Sequence, residues 1–289
     1  MDQPCQPAPQ NWRLTLAYDG TDFRGWQVQP GEPTIQGELR SALGRITGET
    51  PLPQGSGRTD AGVHALAQVT SFALLGPIPP ENLLRALNRT LPSSIRVTDA
   101  RHAPASFHAR HSAIAKTYEY RIFRGAICPP FLACYVYHWT MPLEEDLLDR
   151  SAHLFAGEHD FQSFAATDPD LAHRESTELA AQGQASAAIS APRIAPGSTI
   201  RTVYSSRWER RQTDAGEILV YRVRGNGFLH HMVRNLVGTM LDVGRGYLRV
   251  EDIGEILAAR RRTAAGPTAP ARGLFLHSVE YPESVSDWI

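Results

Sequence analysis

The sequence predicts an α/β protein of the α+β type, built as one large domain or two modest ones. Three observations carry this. Several short stretches alternate apolar with polar residues, the period of a half-buried strand, while others repeat apolar residues three and four apart, the period of an amphipathic helix. Both patterns occur in each half of the 289 residues, a length suited to roughly one or two domains at about 100–200 residues each. Hydrophobic residues make up 42% and charged residues 20%, which supplies a core and excludes global disorder.

The elements follow in order. Residues 1–11 read as a solvated tail. Arg13–Tyr18 alternates as a strand and runs into a glycine-punctuated loop, Asp19 to Gln27. Ile35, Leu39, Leu43 and Ile46 fall at helical spacing, so Thr34–Thr47 predicts an amphipathic helix. Pro51–Gly62 is rich in Gly and Pro and predicts loop. Gln68–Leu74 reads as a strand, and Pro79-Pro80 opens a second helix with Leu83, Leu84, Leu87 and Leu91 inward. Ile95–Ala100 is a third strand.

The second half repeats the mixture. Lys116–Phe123 predicts a strand with Tyr118, Tyr120 and Ile122 on one face and Thr117, Glu119 and Arg121 on the other. Leu143–Phe155 reads as a helix with an acidic start. Arg201–Arg210 and Glu217–Arg224 read as strands paired around Thr213-Asp214-Ala215-Gly216. Phe228–Val243 and Val250–Arg262 read as helices, and Leu274–Tyr281 as a last strand. No repeat is visible at the letter level. Asp168–Ser198 stands apart: its 31 residues hold eight alanines, three prolines and no aromatic. Such a segment buries little area, so it predicts a mobile surface excursion, with a short helix near Arg174–Ala181.

Composition excludes several classes. No apolar run reaches the roughly 18 residues that span a bilayer. The first residues, MDQPCQPAPQN, show neither a positive nor an apolar segment of a signal peptide. Three cysteines without a C-x-x-C spacing fit a reducing cytoplasm better than a disulfide or zinc scaffold. A net charge of -1 excludes a basic coat over the whole surface. Locally the balance differs: Arg101–Arg124 and Arg222–Arg249 each hold five basic residues against one acid. Aromatics and histidines interleave with them, a pattern suited to phosphates and stacked bases, and equally to two ordinary solvated surfaces. Lys116 is the only lysine.

The sharpest local feature is Gly55-Ser56-Gly57-Arg58-Thr59-Asp60-Ala61-Gly62-Val63-His64. Its glycines allow a tight turn and close approach of a ligand. A guanidinium two residues from Asp60 favours the carboxylate form, and an ionised aspartate on such a turn is a candidate nucleophile. A turn capped by Asp60 and braced by Arg58 explains the same letters. Metal binding by Asp60 and His64 lacks a third ligand at suitable spacing, and no G-x-x-x-x-G-K-[ST] phosphate loop occurs.

From Gly57 to Ala65 the segment resembles the signature of the tRNA pseudouridine synthase A family. Further blocks match in order: Tyr18-Asp19-Gly20-Thr21 with Gly25-Trp26-Gln27, Phe107-His108-Ala109-Arg110 with Lys116-Thr117-Tyr118-Glu119-Tyr120, Gly225 to Asn235, and Ala271-Arg272-Gly273-Leu274 with Val279-Glu280-Tyr281. Together they cover about residues 12–167 and 199–282. The resemblance implies a pseudouridine synthase fold, two α/β domains with antiparallel or mixed sheets flanked by helices and meeting at an active-site cleft. Domain limits then fall at 12–110, with the catalytic loop, and 111–282, with the excursion at 168–198; 1–11 and 283–289 are tails.

It also implies a function: isomerisation of uridine to pseudouridine at positions 38, 39 and 40 of the tRNA anticodon arm, by a cytoplasmic homodimer without cofactor or metal. Asp60 is then the catalytic residue, Tyr118 packs on the target base, Arg234 pairs with Asp60, and Arg58 contacts the RNA beside the extruded base. His64 and Arg110 are further substrate-binding candidates. The alternatives are a synthase acting at other tRNA positions, a non-catalytic RNA-binding protein on the same scaffold, and a metal-dependent hydrolase using Asp60 and His64. The long excursion departs from the short connection expected in the family.

Overall fold

A computed structural model describes residues 8–166, 195 and 197–282. The 168–198 excursion and its short helix lie outside the described residues, save Ala195, Gly197 and Ser198. The chain forms two compact units. Among the described residues, 8–114 and 278–282 make the first, and 115–277 the second.

In the first unit, β1 (Gln10–Tyr18) lies between β3 (His64–Leu74) and β4 (Ile95–Ala103), antiparallel to both. Its alternation is the predicted one: Trp12, Leu14, Leu16 and Tyr18 are buried. α1 (Ile35–Thr47) buries Leu39 and Leu43, and α2 (Pro80–Thr90) buries Leu83 and Leu87. Thr34 caps α1 by accepting the Gly37 amide at 3.2 Å, and Gly48 ends it in the left-handed region at φ 75°. On the side of β1 that carries Arg13, a second cluster joins Val69, Phe107, Ala109 and Tyr281. The Arg13 guanidinium lies over the Tyr281 ring at 4.9 Å, and the Tyr281 hydroxyl donates to Ala109 O at 2.6 Å.

Two boundaries in this unit shift. The N-terminal tail is shorter than read, because β1 begins at Gln10. The glycine-rich loop holds β2 (Gln54–Gly55), paired with Ser71 and Thr70 of β3, which itself starts at His64 rather than Gln68.

In the second unit the strand order is β7-β8-β9-β5. β5 (Ala115–Phe123) pairs antiparallel with β9 (Gly216–Gly225), β9 with β8 (Ile200–Thr213), and β8 with β7 (Gly157–Asp160). The short β6 (Tyr137–His138) runs parallel to β5. α3 (Glu145–His153) is shorter than the periodicity suggested. α4 (Met232–Gly244) is buried nearly all round, so it behaves as a core helix rather than an amphipathic one. It begins four residues later than Phe228 because His231 sits in the left-handed region at φ 60°. Gly238 of α4 is required by packing: a Cβ there would lie 1.6 Å from Pro267 O. α5 (Asp252–Ala259) ends where Arg260 takes φ 49°. The last strand, β10 (Leu274–Glu280), gives residues 274–277 to the second unit and 278–280 to the first.

Candidate active site

His64 opens β3, and Arg58 and Asp60 lie on the loop of the first unit between β2 and β3. Two sequence blocks far apart in the alphabet of the chain build its mount. The loop after β1 lies directly against it: a Cβ on Gly20 would meet Val63 O at 2.0 Å, and one on Gly25 would meet Thr59 O at 2.6 Å. Gly25 also takes φ 93°, a region that only glycine enters without strain. Three backbone bonds fasten the turn, Trp26 N–H to Thr59 O at 3.0 Å, Gly62 N–H to Phe23 O at 3.3 Å, and Val63 N–H to Asp60 O at 3.1 Å.

Beneath the turn runs a buried chain of side-chain hydrogen bonds. The Ser56 hydroxyl donates to Gln68 Oε1 at 2.6 Å, and Gln68 Nε2 donates to Gly57 O at 2.8 Å. A carbonyl only accepts, so this contact fixes which end of the carboxamide is the NH₂. Nε2 also reaches the Tyr18 hydroxyl at 3.5 Å, and that hydroxyl bonds Thr59 Oγ1 at 2.8 Å. Burial pushes the Tyr18 phenol up to about 12, so it stays protonated at neutral pH. Asp60 itself is half-buried, next to the buried Thr59 and the exposed Ala61.

His64 is buried, and its Nδ1 accepts the Gly20 amide at 3.1 Å. The Asp19 carboxylate lies 3.2 Å from the same nitrogen. One nitrogen cannot accept and donate at once; the backbone amide is an obligate donor, so Nδ1 is the acceptor and Asp19 is a neighbour rather than an ion pair. Asp19 instead accepts from the Thr21 amide and hydroxyl at 3.0 and 2.6 Å. Among the described residues His64 joins no group of three His, Cys, Asp or Glu side chains with converging ligand atoms. Arg110 is exposed, and its amide donates to His108 Nδ1 at 3.1 Å. Burial, then the charges of His111 and Arg110, lower the His108 imidazole to about 4.

Tyr118 and Arg234 lie in the second unit. Tyr118 is buried on β5, and its ring meets Phe228 edge-on at 5.1 Å. Arg234 is in the first turn of α4, where its Nε donates to Ala269 O at 2.7 Å while Ala269 N–H donates to Arg234 O at 3.1 Å. The Gly225-Asn226-Gly227 block closes on β8: Asn226 exchanges two bonds with the Thr202 backbone, both 3.0 Å. Asn235, fully buried, donates to Phe164 O at 2.7 Å and accepts from Arg262 and Thr268 at 3.0 and 2.7 Å. Gln68 and Arg262 were not singled out from the sequence, and Tyr18 was read only as a strand end and the start of a family block. Gln68 had no distinguishing signal, since His64, Thr70 and Ser71 also interrupt the apolar residues of its strand.

The two basic stretches are less basic in space than along the chain. Arg101 pairs with Asp99 through two bonds of 2.8 Å, Arg121 and Arg222 with Glu119 at 2.7 and 2.9 Å, and Arg249 with Asp252 at 2.7 Å.

An α+β chain carrying a carboxylate on so firmly mounted a turn matches the profile of one family. Residues 15–112 and 185–282 fit tRNA pseudouridine synthase, which places the protein in the class of RNA-modifying isomerases. Relatives narrow this further. The tRNA pseudouridine synthase A of Solibacter usitatus is 49% identical over 269 residues, 93% of this chain and 98% of the relative. That of Moorella thermoacetica is 41% identical, with the same coverage of both chains, and that of Brevibacillus brevis 40%. The chain belongs to the tRNA pseudouridine synthase A family. No helix among the described residues is long and apolar enough to cross a membrane.

Proposed function

We propose that this protein isomerises uridine to pseudouridine in tRNA, at positions 38, 39 and 40 of the anticodon arm. The observation that carries the reading is Asp60 in an intact signature, on a turn held from both flanks by hydrogen bonds. The reaction breaks N1–C1′, turns the uracil and forms C5–C1′, and the C5 proton ends on N1 or in solvent exchange. Atoms and oxidation level are conserved, so the chemistry needs no electron carrier, and we assign it no metal. The carboxylate of Asp60 acts either on the base, by addition to C6 of the ring, or on the sugar, by attacking or deprotonating it.

The target base must leave its stack, at a cost of a few kcal/mol, roughly what one aromatic contact of about 1–3 kcal/mol helps offset. We assign that contact to Tyr118, the ion pair that orients Asp60 to Arg234, and RNA contacts to Arg58 and Arg110. His64 acts from beneath the turn, through Gly20. The working form is a cytoplasmic homodimer; the cysteine usage and the tRNA substrate support the compartment, and the family resemblance supports the dimer.

The test is Asp60→Asn, with pseudouridine mapped in tRNA. The amide keeps the size and loses the charge, so isomerisation is expected to fall to background. Affinity for the anionic tRNA persists, within about 1 kcal/mol, because the site gains net positive charge. Asn also suits a turn-capping position, so near-native yield from this variant would show that Asp60 is structural and sink the assignment.

A further inference from the structure

We infer that Gln68 is a positioning residue for isomerisation, acting through the turn that carries Asp60; this rests on the reading of Asp60 as the catalytic residue. Gln68 is fully buried on β3, eight residues along the chain from Asp60. Its carboxamide spans the base of the turn. Oε1 takes the Ser56 hydroxyl, one Nε2 hydrogen takes Gly57 O, and the other points to the Tyr18 hydroxyl, which in turn bonds Thr59. One side chain therefore holds the strand entering the turn, and through Tyr18 it also holds the residue immediately before Asp60.

Backbone bonds hold this arm as far as Ser56, whose N–H donates to Val69 O at 2.7 Å, and the Gln68 carboxamide extends the hold to Gly57. Further backbone bonds tie Thr59, Asp60 and Gly62 to the loop after β1 and to Val63. Gly57 O accepts from Gln68 Nε2 at 2.8 Å. A glycine-containing arm without that donor gains backbone freedom, and the freedom is passed to Asp60 three residues on. Placement matters at this scale: a misplacement near 1 Å costs about 100-fold in rate. β3 also buries His64, Thr70 and Ser71; what singles out Gln68 is that both ends of its carboxamide are used on the arm that leads to Asp60.

The experiment compares Gln68→Met, which keeps the volume and removes donor and acceptor, with the native chain in single-turnover isomerisation of tRNA and in tRNA binding. Rates are normalised to the folded fraction. The expected result is a rate constant lowered about 10–100-fold with Kd within about twofold of native. A rate within twofold of native, or a loss that lies in Kd instead, overturns the inference. Tyr18→Phe keeps the ring and removes the middle hydroxyl of the chain; it carries the same test, with an expected loss of about fivefold or more, should Gln68→Met accumulate no folded protein. Asp60→Asn is measured alongside. If it is inactive while the Gln68 variant is native-like, the catalytic role of Asp60 stands and that of Gln68 falls. If it is fully active, both fall.

Discussion

Glu119 is a buried carboxylate among three guanidiniums, with Arg121 at 2.7 Å, Arg222 at 2.9 Å and Arg211 at 3.6 Å. Burial alone would raise its pKa; the bonds from Arg121 and Arg222 outweigh that and hold it below the ordinary carboxylate range. Removing one partner of such a cluster leaves uncompensated charge, at about 3–5 kcal/mol. Glu119→Gln is expected at the low end, about 3 kcal/mol, since the amide oxygen still accepts; urea titration at neutral pH checks it. The pH dependence has a definite sign. With the folded pKa lowered, the stabilisation is complete above the unfolded value near 4.3 and is lost as pH falls through the folded value. The acid limb of stability should therefore be shallower in Glu119→Gln than in the native chain. The alternation of β5 did place Glu119 with Thr117 and Arg121, opposite Tyr118 and Tyr120. Its burial was not legible, because two of its partners come from β8 and β9, about a hundred residues away in sequence.

Periodicity found the longer strands and helices and missed the two-residue strands β2 and β6 and the four-residue β7, which are too short to show a period. Helix ends were legible where a side chain marks them, as Thr34 and Gly48 mark α1. They were not where backbone geometry decides, as at His231, whose letters continue the helical pattern while its φ of 60° breaks it. A non-glycine residue there costs about 1–2 kcal/mol. His231→Gly is accordingly expected to leave the melting temperature unchanged or slightly raised despite the loss of a whole side chain; a fall of several degrees would show that the imidazole contributes more than the strain it bears. Gly20 is the opposite case. A methyl group 2.0 Å from Val63 O forces the two loops apart. Gly20→Ala is expected to slow single-turnover isomerisation by at least about 10-fold, on the 1 Å argument used for Asp60, with tRNA affinity near native. The glycines of these loops were visible in sequence, but that Gly20 and Val63 meet was not.

For the whole molecule, charge along the chain overstates charge available to RNA. The two basic stretches contain ten cations. Were all to meet phosphates, log K would fall with log salt at a slope near −7 to −9. Arg101, Arg121, Arg222, Arg245 and Arg249 already face carboxylates, so a slope well short of about −7 is expected. Titrating tRNA binding between low and moderate salt measures it directly, and a slope beyond −7 would mean that those ion pairs open on binding. The signature around Asp60 was readable because chemistry confines it to nine consecutive residues. Its support was not, being assembled from β1, β3 and the loop that follows β1.

The split of β10 reaches into biosynthesis. The first unit is otherwise complete at residue 114, but its cluster of Val69, Phe107 and Ala109 waits for Tyr281. Roughly 160 residues must be translated in between, about 10–30 s at about 5–20 residues per second. Through that interval the nascent chain exposes an unfinished apolar surface, and the loop that carries Asp60 stands beside a sheet still lacking β10. Tyr281 thus closes a cluster whose other members are made far earlier, and a chain released before it lacks the ring and hydroxyl that hold Ala109.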